Sequence, residues 1–134
     1  MKGYLSIEFL RNGVVIDTIQ GDNLIVDSGK DNALKCLIGT DRKIVKIQAG
    51  INNAQPQPGD TIITSPVDLA ITSTEILNGI LTVNFTMGQN IGNNQTYSEF
   101  GLICSDGSLF SRKIFTPFLK LPDLSFNGKW KIKL

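Results

Sequence analysis

The chain has 134 residues, 41% apolar and 19% charged, with 13 Lys plus Arg against 12 Asp plus Glu for a net charge of +1. This length suits one domain with one core, and the composition is neither that of a disordered chain nor that of a membrane protein, since no apolar run approaches the ~18 residues a spanning helix needs. A balance so near neutral argues against a general nucleic-acid binder, and the lack of any histidine removes the commonest general base and metal ligand.

The N-terminal segment carries Glu8 where a secretion signal keeps an uncharged core. No export signal is read, and folding in a cytoplasm is expected. Tyr4 to Leu10 alternates, with Leu5, Ile7 and Phe9 on one side. Asn12-Gly13 then reads as a hairpin turn, and Val14 to Ile19 as the β-branched return strand. Gln20-Gly21-Asp22 reads as a turn before the apolar run Leu24-Ile25-Val26. Asp27 or Ser28 is placed to cap a helix over Gly29 to Ile38, and Gly39 to end it. Ala33, Leu34, Leu37 and Ile38 recur at helical spacing, opposite Lys30, Asp31 and Lys35, so this face is expected to pack on the sheet.

Lys43 to Ala49 is the next strand. Gly50 to Pro66 is a long loop, because its prolines and the Asn52-Asn53 pair are incompatible with ladder pairing over most of it. Val67 to Leu77 returns to strand character, Asn78-Gly79 closes another hairpin, and Leu81, Val83, Phe85 and Met87 form a period-two face. Gly88 to Thr96 is a second polar loop. Tyr97 to Phe115 folds back on itself at Asp106-Gly107, expected to be a type I′ turn with both central residues at positive φ. That register pairs Cys104 with Leu109, Ile103 with Phe110, and Gly101 with Arg112. Ile103, Phe110 and Ile114 then share a face with Glu99 and Arg112, while Phe100, Leu102, Cys104, Leu109 and Phe115 share the other. Both faces are largely apolar, so this hairpin is expected to be central and covered on both sides. Thr116-Pro117 breaks it, Phe118 to Leu121 is a short strand, and in Lys129 to Leu134 three lysines point out while Trp130, Ile132 and Leu134 point in. About eight to ten short strands and one helix predict a mainly β fold, an antiparallel β-sandwich of hairpins with the helix on a sheet face, as one domain over residues 1–134.

Chemistry is sparse. Cys36 and Cys104 lie far apart with no metal spacing and read as buried free thiols. No P-loop or dinucleotide-binding glycine motif occurs. The aspartates fall mostly in turns, where they bond their own backbone, and a calcium loop at Asp60 or Asp106 has no supporting spacing. No enzymatic activity and no cofactor are expected. The late basic residues (Arg112, Lys113, Lys120, Lys129, Lys131, Lys133) alternate with apolar ones, as a solvated strand face or a phosphate-binding strip. Glu99 lies diagonal to Arg112 across Gly101. Two readings stand for it, a partly buried ion pair fixing the hairpin register or a charge at a subunit contact.

Several segments in order carry a resemblance. They are Asn23 to Gly29 with the following helix, Ile47 to Gly50 with Pro56 to Thr61 and Pro66-Val67, Val83 to Phe85 with Ser98 to Leu102, Leu109 to Arg112 through Phe115 to Pro117, and Trp130 to Leu134. Over residues 23–134 this set resembles small virion proteins of tailed bacteriophages: tail-fibre, tail-collar or baseplate-associated proteins. The resemblance implies a β module of the virion that assembles with copies of itself or with other virion proteins, and it carries no catalytic residues. The chain is short for a complete receptor-binding fibre, which favours an adaptor, collar or head-decoration role. Its two loops would then lie at interfaces, through Asn52, Asn53, Gln55, Gln57, Asn90, Asn93 and Asn94. The alternative is a carbohydrate- or receptor-binding module for host attachment, for which Tyr97 and Trp130 are the stacking candidates. Neither reading involves nucleic acid or a membrane.

Overall fold

The computed structural model describes residues 1–134. The elements in order are β1 (Lys2–Arg11), β2 (Val14–Ile25), α1 (Asp27–Leu37), β3 (Ile44–Gly50), β4 (Val67–Leu69), β5 (Ile71–Leu77), β6 (Ile80–Met87), β7 (Gln95–Cys104), β8 (Leu109–Lys120) and β9 (Leu124–Lys133). Every strand pair is antiparallel. The strands form one sheet in the order β4-β3-β7-β8-β2-β1-β9-β6-β5. Its two outer members, β4 and β5, are consecutive in the chain and separated only by Ala70. The margins of the sheet therefore meet, and it curls into a nearly closed barrel.

The strand pattern predicts two separate packed sheets, and β2 is why the strands are continuous instead. It does not turn at Gln20-Gly21-Asp22 but runs on to Ile25, and Leu24 and Ile25 pair with Arg112 and Ser111 of β8. The Lys113 ammonium comes close to Gly21 and bonds the Asp22 carbonyl at 2.8 Å. Likewise Thr116-Pro117 does not end β8. The register shifts there, from Glu99 opposite Ile114 to Tyr97 opposite Phe118, and a proline inside a bulge removes no ladder hydrogen bond.

Nineteen buried side chains fill the interior, among them Leu5, Ile7, Phe85, Phe100, Phe126 and Trp130. Phe100 stacks on Phe115 at 4.6 Å, and Phe115 on Phe118 at 5.4 Å. Gly128 is sized by this core, since a Cβ there would strike the Phe85 ring. Leu134 lies outside it, 89% exposed.

Asn12-Gly13 (φ 50° and 81°) and Asn78-Gly79 (φ 51° and 76°) are the two turns with both residues left-handed. At the central hairpin only Gly107 is so (φ 86°). The Asp106 carboxylate accepts the Ser108 N–H (3.1 Å) and hydroxyl (2.6 Å), a local arrangement that holds Asp106 right-handed. Gly107 N–H donates to the Cys104 carbonyl and Cys104 N–H to the Ser108 carbonyl, which makes a type I turn followed by a glycine bulge. The glycine bulge pairs Ile103 with Leu109, and a second register shift at Phe110 restores Leu102 to Ser111 and Gly101 to Arg112. One residue of slip exchanges faces. Leu109 lies outside with Val26, Ile63 and Ile103, and Phe110 enters the main core, the reverse of the turn expected from sequence.

The helix also sits differently. Neither Asp27 nor Ser28 caps it; Val26 is the N-cap, the Asp27 N–H donates to the Pro58 carbonyl, and the Ser28 hydroxyl donates to the Leu109 carbonyl. Gly29 touches the Phe110 carbonyl and Asn32 donates to the Ser108 hydroxyl at 2.6 Å. These contacts turn Gly29 and Asn32 inward and leave Leu34, Leu37 and Ile38 at 63%, 81% and 82% exposed, with Cys36 exposed beside them. Of the face expected to pack on the sheet, Ala33 reaches the core, and Leu34, Leu37 and Ile38 are a free surface.

Candidate functional site: two pinned loops and an apolar end

The loop after β3 is held to the outer face of the β7–β8 hairpin by a buried charge cluster. Glu99 is fully buried and Arg112 nearly so. Arg112 Nε donates to Glu99 Oε1 at 2.8 Å, while Glu99 Oε2 accepts the backbone N–H groups of Asn52 (2.7 Å) and Thr64 (3.2 Å). Arg112 continues into the loop, through Nη2 to the Asn52 carbonyl (2.9 Å) and Nη1 to Asp60 Oδ2 (3.0 Å). The same Asp60 oxygen accepts the Gln57 N–H. Ile63 of the loop lies over Gly101 and Gly50, in the space a Cβ at either would occupy, and packs with Ile103 and Leu109. A glutamate and an arginine facing each other two residues apart on a hairpin thus reach both ends of a sixteen-residue connection (51–66) and tie it down. Glu99 is an internal anchor, and no part of it is available to a subunit contact.

The loop before β7 is held by a second buried charge. Lys120 is fully buried, and its ammonium donates to Asn93 Oδ1 (2.7 Å) and to the carbonyls of Gln89 (3.1 Å) and Leu121 (3.3 Å). Asn94 N–H donates to the Lys120 carbonyl at 2.7 Å, and Tyr97 OH to the Gly92 carbonyl at 2.8 Å. Burial pushes the Lys120 ammonium below the usual lysine range, with Asp123 pulling the other way. Burial also pushes the Tyr97 hydroxyl up. Nothing in the sequence distinguishes Lys120 from the outward lysines around it, since its alternation with Leu119 and Leu121 suits either face.

The loop residues singled out by sequence therefore divide. Asn53, Gln55, Gln57, Asn90 and Asn94 are exposed; Asn52 is exposed but joins the anchor through its backbone, and Asn93 is half-buried on Lys120. Tyr97 and Trp130 are buried in the core and present no stacking surface. The late basic residues do not form one strip, because Arg112 and Lys120 are internal and Lys113 is bonded to the Asp22 carbonyl, while Lys129, Lys131 and Lys133 are a solvated row along β9. Asp60 faces Arg112, and Asp106 pairs with Arg42 at 3.2 Å. Ser108 is the main reason the Asp106 carboxyl lies below the usual range, with Arg42 adding to it.

Two of the concave regions of the surface bear on function. At the α1 end of the barrel, a cavity of about 490 Å³ runs between Ala33 and Cys36 of the helix and Ile76 and Leu81 of the β5–β6 hairpin, down to Val83, Phe110 and Ile132. Ile76 (78% exposed) lines the cavity on the hairpin side, Leu77 (63%) follows it on the opposite face of β5, and Leu37 and Ile38 are exposed at the end of the helix. On the outer wall a polar groove of about 340 Å³ is lined by Glu8, Asn84, Thr86, Asn127 and Lys129 among others. Comparison with known proteins finds no matching family model, no matching curated protein and no matching solved structure.

Proposed function

We propose that this chain is a non-enzymatic structural protein of a tailed-phage virion that works by protein–protein contact, as a tail-fibre, collar or baseplate adaptor or as a decoration of the head. The observation that supports it is the apolar end of the barrel. Ala33, Cys36, Ile76 and Leu81 line an apolar cavity there, and Ile76 of the hairpin and Leu34, Leu37 and Ile38 of the helix are all more than half exposed. Apolar patches of this kind mark surfaces covered by another macromolecule. The polar loops are tied to the barrel by Glu99, Arg112 and Lys120, so the module offers a partner a preformed surface. The experiment is immunogold labelling of purified phage particles with an antibody to the chain. Regular labelling at one virion position is expected, and unlabelled particles from a lysate that contains the protein would sink the reading. Host attachment through a glycan is the second reading, favoured by the polar groove with Glu8, Asn84, Asn127 and Lys129; glycan-array binding lost in Asn84→Ala would shift weight to it.

A further inference from the structure

β2 is bonded unevenly along its length. Val14, Val15 and Asp17 to Asn23 pair with β1, with Ile16 bulged between them, but on the other side only Leu24 and Ile25 reach β8. From Val14 to Asp22 one side of the strand has no strand beside it, where the barrel wall is open. The β8 edge across this opening carries Lys113, which bridges it to the Asp22 carbonyl, and Pro117, which has no N–H to offer. Lysines and prolines are how exposed edges are blunted. The β2 edge has neither, and its one irregularity is the bulge at Ile16. From Val14 to Gly21 its single charge is Asp17, and Val14, Val15 and Ile16 are 66%, 49% and 51% exposed.

We infer that this edge pairs with the same edge of a second copy, antiparallel about a two-fold axis, joining two barrels through β2. The occupant follows from geometry. A strand edge presents the donors and acceptors that an antiparallel copy of itself satisfies, and antiparallel pairing of identical strands is a two-fold operation. The pairing also covers the exposed Val and Ile side chains, and a net charge of +1 leaves little repulsion between copies. Asp17 guards the edge. Its Oδ1 accepts the Thr18 N–H at 2.8 Å, so one backbone donor of the strand is held by a side chain that swings aside when strands pair. The inference rests on the assembly reading and names its first partner. The two fail separately, because dimerisation is read on the isolated protein and incorporation on virus particles.

The test is light scattering on the full chain over a concentration series, with circular dichroism on each variant. The mass is expected to rise from 14.6 kDa to twice that value. Ile16→Lys should weaken association by roughly tenfold or more with the thermal midpoint unchanged, and Asp17→Thr should strengthen it by a similar factor. If Ile16→Lys fails to fold, Val14→Lys at the more exposed position replaces it. A monomer at every concentration in both the wild type and Asp17→Thr overturns the inference, as does a dimer that survives the lysine substitution.

Discussion

Replacing Glu99 with alanine tests how the long loop is held. The substitution leaves the Arg112 guanidinium buried with Asp60 and the Asn52 carbonyl as its remaining partners, and it strips the Asn52 and Thr64 N–H groups of their acceptor. Breaking a buried pair from one side costs about 3–5 kcal/mol. Asp60 offsets part of this, since its carboxylate is one-quarter exposed and 3.0 Å from Nη1. The orphaned amides add about 1 kcal/mol each at the low end, because the loop can lift into water. We expect a net loss of about 4 kcal/mol, or a fall in Tm of roughly 12 °C for a chain of this size. The double variant Glu99→Leu/Arg112→Met removes both charges and fills the space with apolar groups, so its cost falls to about 2 kcal/mol, mostly the released loop. Urea denaturation at pH 7 gives both numbers, and hydrogen exchange at Asn52 and Thr64 reports the loop itself. Equal losses in the single and double variants would refute the coupling, and so would unchanged exchange at those two amides.

Other outcomes follow from the same geometry. Leu37→Lys and Ile38→Lys should change stability by no more than ~0.5 kcal/mol, measured by thermal melting, yet abolish incorporation into particles if the apolar end is a contact surface. Gly29→Ala drives a methyl into the Phe110 carbonyl and should destabilise by about 1–3 kcal/mol in urea. An aromatic disulfide reagent should modify Cys36 at once and Cys104 only on unfolding, because Cys104 is buried and its thiol is pushed up mainly by that burial. Lys120 binds its proton less tightly folded than unfolded. Its contribution to stability therefore rises with pH from the lowered folded value towards the ordinary 10.5 and is flat below that window. Lys120→Met should lack this rise and show faster exchange in residues 88–94. Asp106 has the opposite sign, as its stabilisation is complete above 3.8 and lost as pH falls through the lower folded value, so Asp106→Asn should flatten part of the acid limb of a pH–stability curve.

The sequence alone determined the mainly β character, the single helix near residues 29–38, the two left-handed Asn-Gly turns and the inward faces of Val83, Phe85, Met87, Trp130 and Ile132. These rest on short-range physics: side-chain alternation, backbone sterics at Asn-Gly, and the periodicity of apolar residues. The proximity of Glu99 and Arg112 was legible for the same reason, since both lie a few residues from one turn. Tertiary structure decided the rest. Asp106 chose its own hydrogen bonds over a type I′ turn and thereby exchanged Leu109 and Phe110 between faces. Ser28 and Asn32 bonded the hairpin and rotated the helix until its leucines faced water. Lys120 went inward because three acceptors from residues 89, 93 and 121 converge there, two of them on a loop about 30 residues away in the chain. The joining of β2 to β8 likewise depends on partners some 90 residues apart. A local pattern records which residues avoid water, but which surface receives them is set by long-range contacts that no window of sequence contains.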